Sequence, residues 1–495
     1  MSEQGTSGLA RQIGLVGLAA TGICSMLGAA INVIPFMIQR HVPGIGPWVL
    51  PAFGLAAIPA LLAAFAYAIL ASAMPRAGGS YVYASRALSP YLGFVASFSQ
   101  WFGLSIAIGV VSYVIVPFLR DIAAALSLTG LAGSLDTGPV RVLVALAFLW
   151  LFVGVNMRGL KLYERTLVPL MFLMFALGGI VIVAGFSFDS ADFNAALVAQ
   201  GQVVNAAAPP PSFDFKTLLV AATVLFSSFI GFDSIAQAGG EAKRPERNLP
   251  WAIGIAVLTV GSFYMLFTAA VYHAVPWTYI AEAAQTRDLT APGLLGTLLS
   301  PGWTVAIVAG AAIALINDLP AMLLAVSRLM FAWAEDGIFP RAVARVHARW
   351  QTPHVALVAS GVMASIGILG SHLAGDFFLG VDLLVISMLV NFLLMCVSVL
   401  ALPHRNPTLA GAVAVVRSRP TQLAIGIAGV AGLGTFLVMQ IWNDLAKPGV
   451  AWYFRSTPVW IGVMLVASAV FWREVRVLRR RGVDLKKLFS TLPPE

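Results

Sequence analysis

Charge is scarce in this chain. Asp, Glu, Lys and Arg make up 10% of its 495 residues, against 59% that are hydrophobic. A soluble fold of this length has no use for so much apolar surface, so a water-soluble class is excluded. Cysteine is nearly absent: Cys24 and Cys396 lie in separate apolar runs, which excludes a disulfide framework. His273, His347, His354 and His372 stand at run ends or in loops, with no metal-ligand spacing. There is no nucleophile–base pair, metal cluster or phosphate-binding loop. The chain therefore does not read as an enzyme, and no cofactor or metal is expected. No cleavable leader is expected, because the first apolar run is too long and lacks a small-residue cleavage site after a short core.

What the chain does have is apolar runs of membrane-spanning length, about 20 residues each. Twelve are expected, near 12–39, 47–73, 91–119, 139–156, 163–187, 217–240, 250–275, 303–333, 354–372, 376–402, 421–442 and 457–475. The fold class is all-α and integral to a membrane, as one transmembrane domain with short loops. Residues 187–216 are expected to be the longest irregular stretch, and mobile.

With the N-terminus in the cytoplasm, the 30 Lys and Arg residues fall on the cytoplasmic side except Arg40, Arg120, Arg141, Lys216, Arg287, Lys447 and Arg455. That asymmetry sets the orientation, with both termini inside a cytoplasmic (inner) membrane. The +9 net charge then belongs to basic loops and a basic tail, 476–495, facing anionic lipid. Lipid is the expected partner and nucleic acid is not. Arg328, toward the cytoplasmic end of its run, is expected to snorkel.

Two runs are interrupted. Residues 21–31 read Thr-Gly-Ile-Cys-Ser-Met-Leu-Gly-Ala-Ala-Ile, and residues 226–234 read Phe-Ser-Ser-Phe-Ile-Gly-Phe-Asp-Ser. Gly22 and Gly28 in the first, and Gly231 with Ser227 and Ser228 in the second, weaken a helix near mid-bilayer. Small residues there equally serve close helix packing. Loose backbone inside a membrane is tolerated only against protein or a water-filled cavity. A matched pair of interrupted spans points to a transporter's substrate site.

The motifs go further. The first run contains Ile-Cys-Ser-Met-Leu-Gly-Ala-Ala-Ile; residues 74–83 read Met-Pro-Arg-Ala-Gly-Gly-Ser-Tyr-Val-Tyr; residues 156–161 read Asn-Met-Arg-Gly-Leu-Lys. The sixth run continues into Glu-Ala-Lys-Arg-Pro-Glu-Arg-Asn-Leu-Pro (241–250), and Ser327-Arg328 precedes Glu-Asp-Gly-Ile-Phe-Pro (335–340). Together these resemble the amino acid–polyamine–organocation transporter superfamily, amino acid permeases in particular, over most of the first eight spans.

The resemblance implies a leucine-transporter-like fold. It would be a 5+5 inverted repeat (12–187 and 217–402) with helices 1 and 6 broken, two additional helices (421–475) and the tail. It implies that a substrate carboxylate meets backbone N–H groups at Gly28, Ala29 and Ala30. A substrate amine would meet carbonyls at Met26, Ser227 and Ile230. Phe226 and Phe229 become gate or pocket-wall candidates. Cys24, Ser25, Asn32 and Gly231 complete the expected binding set.

The chain departs from the family's pattern in places. Cys24 replaces its first glycine, and Ala30 replaces the second glycine of its pair, where a methyl narrows backbone access to a carboxylate. Asn32 stands where many relatives carry Phe, and Ser227 occupies a commonly aromatic gate position. No lysine lies between Thr166 and Phe186, the region around Met174 where some members carry one in place of a sodium ion.

Asp318, in the eighth run, is the sharpest candidate. A charge there costs about 2.5–3.5 kcal/mol on insertion scales, so it usually has a task. It is expected to bind the substrate amine, to carry a coupling proton, or to ligate Na⁺ with Ser25 and Asn317. A structural carboxylate is the plainer account. Asp233 is a second candidate, for gating or proton sensing or as a cap of the second half-helix. Asp382 and Asn391 are weaker.

The expected activity is secondary active transport (symport with H⁺ or Na⁺) of a small amine-bearing solute, most simply an amino acid. The alternatives are a polyamine or other organic amine carrier or exchanger, and a transporter-like nutrient sensor. The solute and the oligomeric state are not legible in the sequence.

Overall fold

The computed structural model describes residue 9, residues 11–202, 209, 211–374, 378–446 and 451–493, without the side chains of residues 29, 30, 125 and 301. Among these residues no strand forms; two isolated bridges join Ile13 to Ala242 and Ala77 to Ala238. Helix is what an apolar chain must adopt in lipid, because only there does each segment satisfy its own backbone.

The first five expected runs give α1 (Leu15–Met26), α2 (Ala29–His41), α3 (Val49–Ala73), α4 (Gly79–Ala87), α5 (Pro90–Ala125), α6 (Gly138–Met157) and α7 (Leu160–Ser187). The next five give α8 (Phe215–Leu225), α9 (Asp233–Gln237), α10 (Pro245–Ala274), α11 (Pro301–Glu335), α12 (His354–Ala374) and α13 (Phe378–Arg405). Then come α14 (Arg419–Ala446) and α15 (Ser456–Arg480). Proline opens α5, α10 and α11, where its missing N–H is not needed. Pro320 lies inside α11, which nonetheless runs unbroken from Pro301 to Glu335.

Among the described residues eleven stretches are long and apolar enough to cross a membrane, with α1–α2 and α8–α9 each counting as one. The twelfth expected run forms α15, a helix of 25 residues outside those eleven. It carries Arg473, Glu474, Arg476, Arg479 and Arg480 in its last turns. The stretch 187–216 is not irregular throughout. Asp189 caps a helix, Ser190–Ala199, by accepting from the N–H groups of Ala191 and Asp192, while Asp192 returns a bond to the Asp189 N–H. Residues 203–208 and 210, which include most of the Ala-Pro tract, lie outside the described residues.

The centre of the bundle is α5 packed along α11. Helices α12 and α13 lie against α5, α14 against α13, and α10 between α3 and α7, while α1 contacts α7, α10 and α11. Cys24 and Cys396 are free and buried in this packing.

At one end of the bundle the structure corrects one expectation. Arg328 does not snorkel. It is 1% exposed and donates to both carboxylate oxygens of Glu241, at 3.0 and 2.6 Å. The last residues of the tail are docked on the bundle, while Arg479, Arg480, Arg481, Lys486 and Lys487 remain exposed. Arg86, paired with Asp336 at 2.6 and 3.0 Å, donates from Nε to the Thr491 carbonyl and lies 5.2 Å from the Phe489 ring. Arg76 reaches the Pro493 carbonyl at 3.1 Å, and Asn406 the Ser490 carbonyl at 3.0 Å.

Candidate functional site

The two interrupted spans break where glycine sits and meet at the breaks. Helix α1 ends at Met26 and α2 begins at Ala29, with Gly28 at φ −63°, ψ −132° and no side chain capping α2. Helix α8 tightens into a 3₁₀ turn, Phe226–Phe229, before α9 begins. Gly231 takes φ +137°, a region side-chain-bearing residues avoid. A Cβ on Gly231 would overlap the Ser25 carbonyl and lie 2.8 Å from the Met26 nitrogen. The broken segments therefore touch backbone to backbone. Gly22 does different work: it lies within α1, where a Cβ would press on Ile235 and Ala256, so it serves packing.

Beside the breaks lies a small pocket of about 80 Å³. Of the expected set, Ser25, Met26, Gly28, Ser227, Ile230 and Asp318 line it. Its other walls are apolar, among them Ile34 of α2, Leu104 and Val111 of α5, Met322 of α11 and Leu384 of α13.

Most polar groups at the pocket are already engaged. Ser25 Oγ shares a hydrogen bond of 3.0 Å with Ser234 Oγ, and Ser227 Oγ donates to the Val224 carbonyl at 2.7 Å. The Tyr264 hydroxyl donates to the Met26 carbonyl at 3.0 Å. Asp318 is the exception. It is 5% exposed and its Oδ1 has no hydrogen-bond partner. Its carboxylate packs on Gly28, where a Cβ would overlap Oδ2 and sit 2.7 Å from Cγ. The start of α2, the positive end of a half-helix, thus already has a carboxylate beside it.

Other expected site residues lie elsewhere. Cys24 is buried and accepts from Asn317 Nδ2 at 3.0 Å. Asn317 also donates to the Leu167 carbonyl at 3.2 Å. Asn317 and Asp318 follow one another on a helix, so their side chains leave about 100° apart. Both face the first broken span, Asn317 at Cys24 and Asp318 at Gly28, and Asn317 Oδ1, like Asp318 Oδ1, has no hydrogen-bond partner. No group of three or more His, Cys, Asp or Glu able to hold a metal occurs among the described residues. Phe226 packs against Phe392 and Phe436, and Phe229 against Phe53 and Tyr264; neither lines the pocket. Asn32 is buried outside the pocket. The side chains of Ala29 and Ala30 lie outside the described residues.

Asp233 also lies away from the pocket. Its carboxylate accepts from the Gly231 N–H at 3.1 Å and from Gln100 Nε2. Gln100 continues into a buried network: its Oε1 accepts from Ser80 and Gln237, and the Tyr67 hydroxyl, bonded to Ser80, accepts from Asn391. Asp382 instead accepts from Gln440 at 3.2 Å.

A pocket between two membrane helices broken at the same level, lined by an unpartnered carboxylate, is the interior of a membrane carrier. The chain belongs to the amino acid permease family, whose model matches residues 13–467. It is similar to the methylthioribose transporter of Bacillus subtilis, at 24% identity over 490 residues and 97% of each chain. It is similar also to the branched-chain amino acid permease BcaP of the same organism, at 26% identity over 427 residues, covering 82% of this chain and 84% of that one. A vacuolar cationic amino acid transporter 4 of Arabidopsis thaliana is 27% identical over 386 residues, 74% of this chain and 59% of that one. These relatives are transporters, not enzymes.

Proposed function

We propose that this chain is a secondary active transporter of a small amine-bearing solute, an amino acid or a similar amine, working by alternating access. The observation that carries the reading is Asp318, an unpartnered carboxylate facing a pocket built on two broken spans. An ammonium in the pocket would pair with the Asp318 carboxylate. The relatives named above carry amino acids or a sulfur-containing sugar, which supports a small polar cargo.

The architecture that goes with this reading is the 5+5 inverted repeat, residues 12–187 and 217–402, with α14 and α15 appended and α15 as a twelfth span. Support comes from the breaks, which fall in the first span of each set of five. The distribution of Lys and Arg supports a cytoplasmic membrane with both termini inside. Coupling to H⁺ or Na⁺ completes the proposal, with Asp318 as its point of action.

Reconstitution tests it. Proteoliposomes with radiolabelled amino acids and amines, under an imposed pH gradient or Na⁺ gradient, should show saturable uptake above equilibrium under one gradient. Uptake that only equilibrates under both would remove the coupling. No saturable uptake of any amine would remove the whole reading.

A further inference from the structure

The end of the bundle where the tail docks holds an open cavity of about 1100 Å³, remote from the breaks. Its walls come from α4, α5, α13, α15 and residues 485–492. Among the described residues no Asp or Glu lines it, while Arg86, Arg405, Arg479 and Lys486 do. Arg86 is paired with Asp336. Arg405, Arg479 and Lys486 belong to three separate segments, are exposed, and have no side-chain hydrogen bond or ion pair among the described residues. Three like charges around one cavity repel one another, and an anion between them turns that repulsion into attraction.

The opposite wall is apolar. Tyr91, Phe471 and Trp472 line it, with Tyr91 stacked on Trp472 at 5.3 Å. On α15, Ile461, Leu465, Trp472 and Arg479 fall within about 40° of one another around the helix axis. The first three are exposed, so an apolar stripe runs down the helix and ends at Arg479 on the cavity wall. From Ile461 to Arg479 the helix rises about 27 Å, close to the roughly 30 Å of a hydrocarbon core. That spacing puts the three cations at headgroup level, with Tyr91 and Trp472 as the aromatic pair of the interface. A soluble anion would use the cations alone, whereas a lipid uses the cations and the stripe together. A zwitterionic headgroup would bring an ammonium for which the cavity has no carboxylate.

We propose that this cavity binds an anionic phospholipid, its phosphate between Arg405, Arg479 and Lys486 and its acyl chains along Trp472 and Leu465. Because Lys486 belongs to the tail and Arg405 to the end of α13, the bound lipid fastens the tail to the bundle. The site stands apart from the solute pocket, and uptake can succeed or fail independently of it.

Melting of the purified full chain in detergent tests it. The probes are dioleoyl phosphatidylglycerol, the phosphatidylethanolamine and phosphatidylcholine of the same chains, and glycerophosphoglycerol, the water-soluble headgroup alone. A ligand of the native state raises the melting temperature by mass action. Phosphatidylglycerol should half-saturate at least tenfold below the two zwitterionic lipids, and the headgroup alone should give no shift. Arg405→Gln combined with Arg479→Gln should melt as the wild type does without lipid and lose the preference for phosphatidylglycerol. Arg244→Gln combined with Arg247→Gln, at the other basic surface beside Lys243 and Trp251, should keep it. Equal shifts by the three lipids, or a preference that survives in the Arg405 and Arg479 variant, would overturn the inference. A shift by glycerophosphoglycerol as large as that by the lipid would mean a site for a soluble anion, and would overturn it too.

Discussion

Arg328 and Glu241, 87 positions apart, meet fork to fork with both side chains almost wholly buried. The Glu241 carbonyl also accepts from the N–H groups of Gln12 and Ile13, both at 2.9 Å. One residue thus ties α11 and the segment before α1 to the end of the sixth span. Removing either charge strands the other. Glu241→Gln is expected to destabilise the protein by about 3–5 kcal/mol. The paired change Arg328→Met with Glu241→Leu should recover most of that loss. Unfolding of the variants in detergent checks it, and a double variant as unstable as the single would count against the account.

Gly231 sits at φ +137° with its Cα on the Ser25–Met26 backbone. Gly231→Ala meets both a forbidden conformation and a backbone neighbour that cannot swing away. A cost of about 1–3 kcal/mol is expected from the strain alone, together with loss of ligand binding as the breaks are pushed apart. Gly254→Ala, on α10 where a methyl meets nothing within 4 Å, should instead raise stability, by about 0.5–1 kcal/mol. The comparison of melting temperatures and ligand shifts tests the contact.

Gly28→Ala places a methyl where the Asp318 carboxylate now is. The carboxylate must move, so amine affinity should fall, by up to the about 1.5–3 kcal/mol of a charged hydrogen bond, or roughly 10–150-fold. Combined with Asp318→Asn the loss should not grow, because both changes act on one interaction. Isothermal binding on the two single variants and the double shows whether the effects add.

Arg86 holds Asp336, the Phe489 ring and the Thr491 carbonyl together. Arg86→Gln should release residues 485–493 from the bundle. Backbone amide exchange in that segment should quicken, as should its cleavage by a protease in limited digestion. Unchanged protection would mean that Asn406 and Arg76, with their bonds to Ser490 and Pro493, suffice to hold it.

Much of the fold was legible because lipid imposes it. Apolar runs mark helices, and Gly28 and Gly231 mark the breaks, since a glycine weakens a helix wherever it lies. Asp318 was legible because an acid in an apolar run is costly. Side-chain direction was not. Phe226 and Phe229 stand in the broken span yet turn into aromatic packing, and the sequence of an apolar helix does not say which face meets the pocket. The walls given by Leu104, Val111 and Leu384 were missed for the same reason, as apolar residues among apolar residues. The partners of Arg328 and Arg86 were hidden by distance along the chain: Glu241 and Asp336 lie 87 and 250 positions away, beyond any local spacing.

Cys24 and Cys396 are the chain's two thiols, and both are buried. The protein therefore presents almost nothing for a membrane-impermeant maleimide to label. A single thiol introduced on the pocket wall, as in Val114→Cys, would be the accessible one. Its reactivity, followed from each side of the membrane, would report to which side the cavity is open.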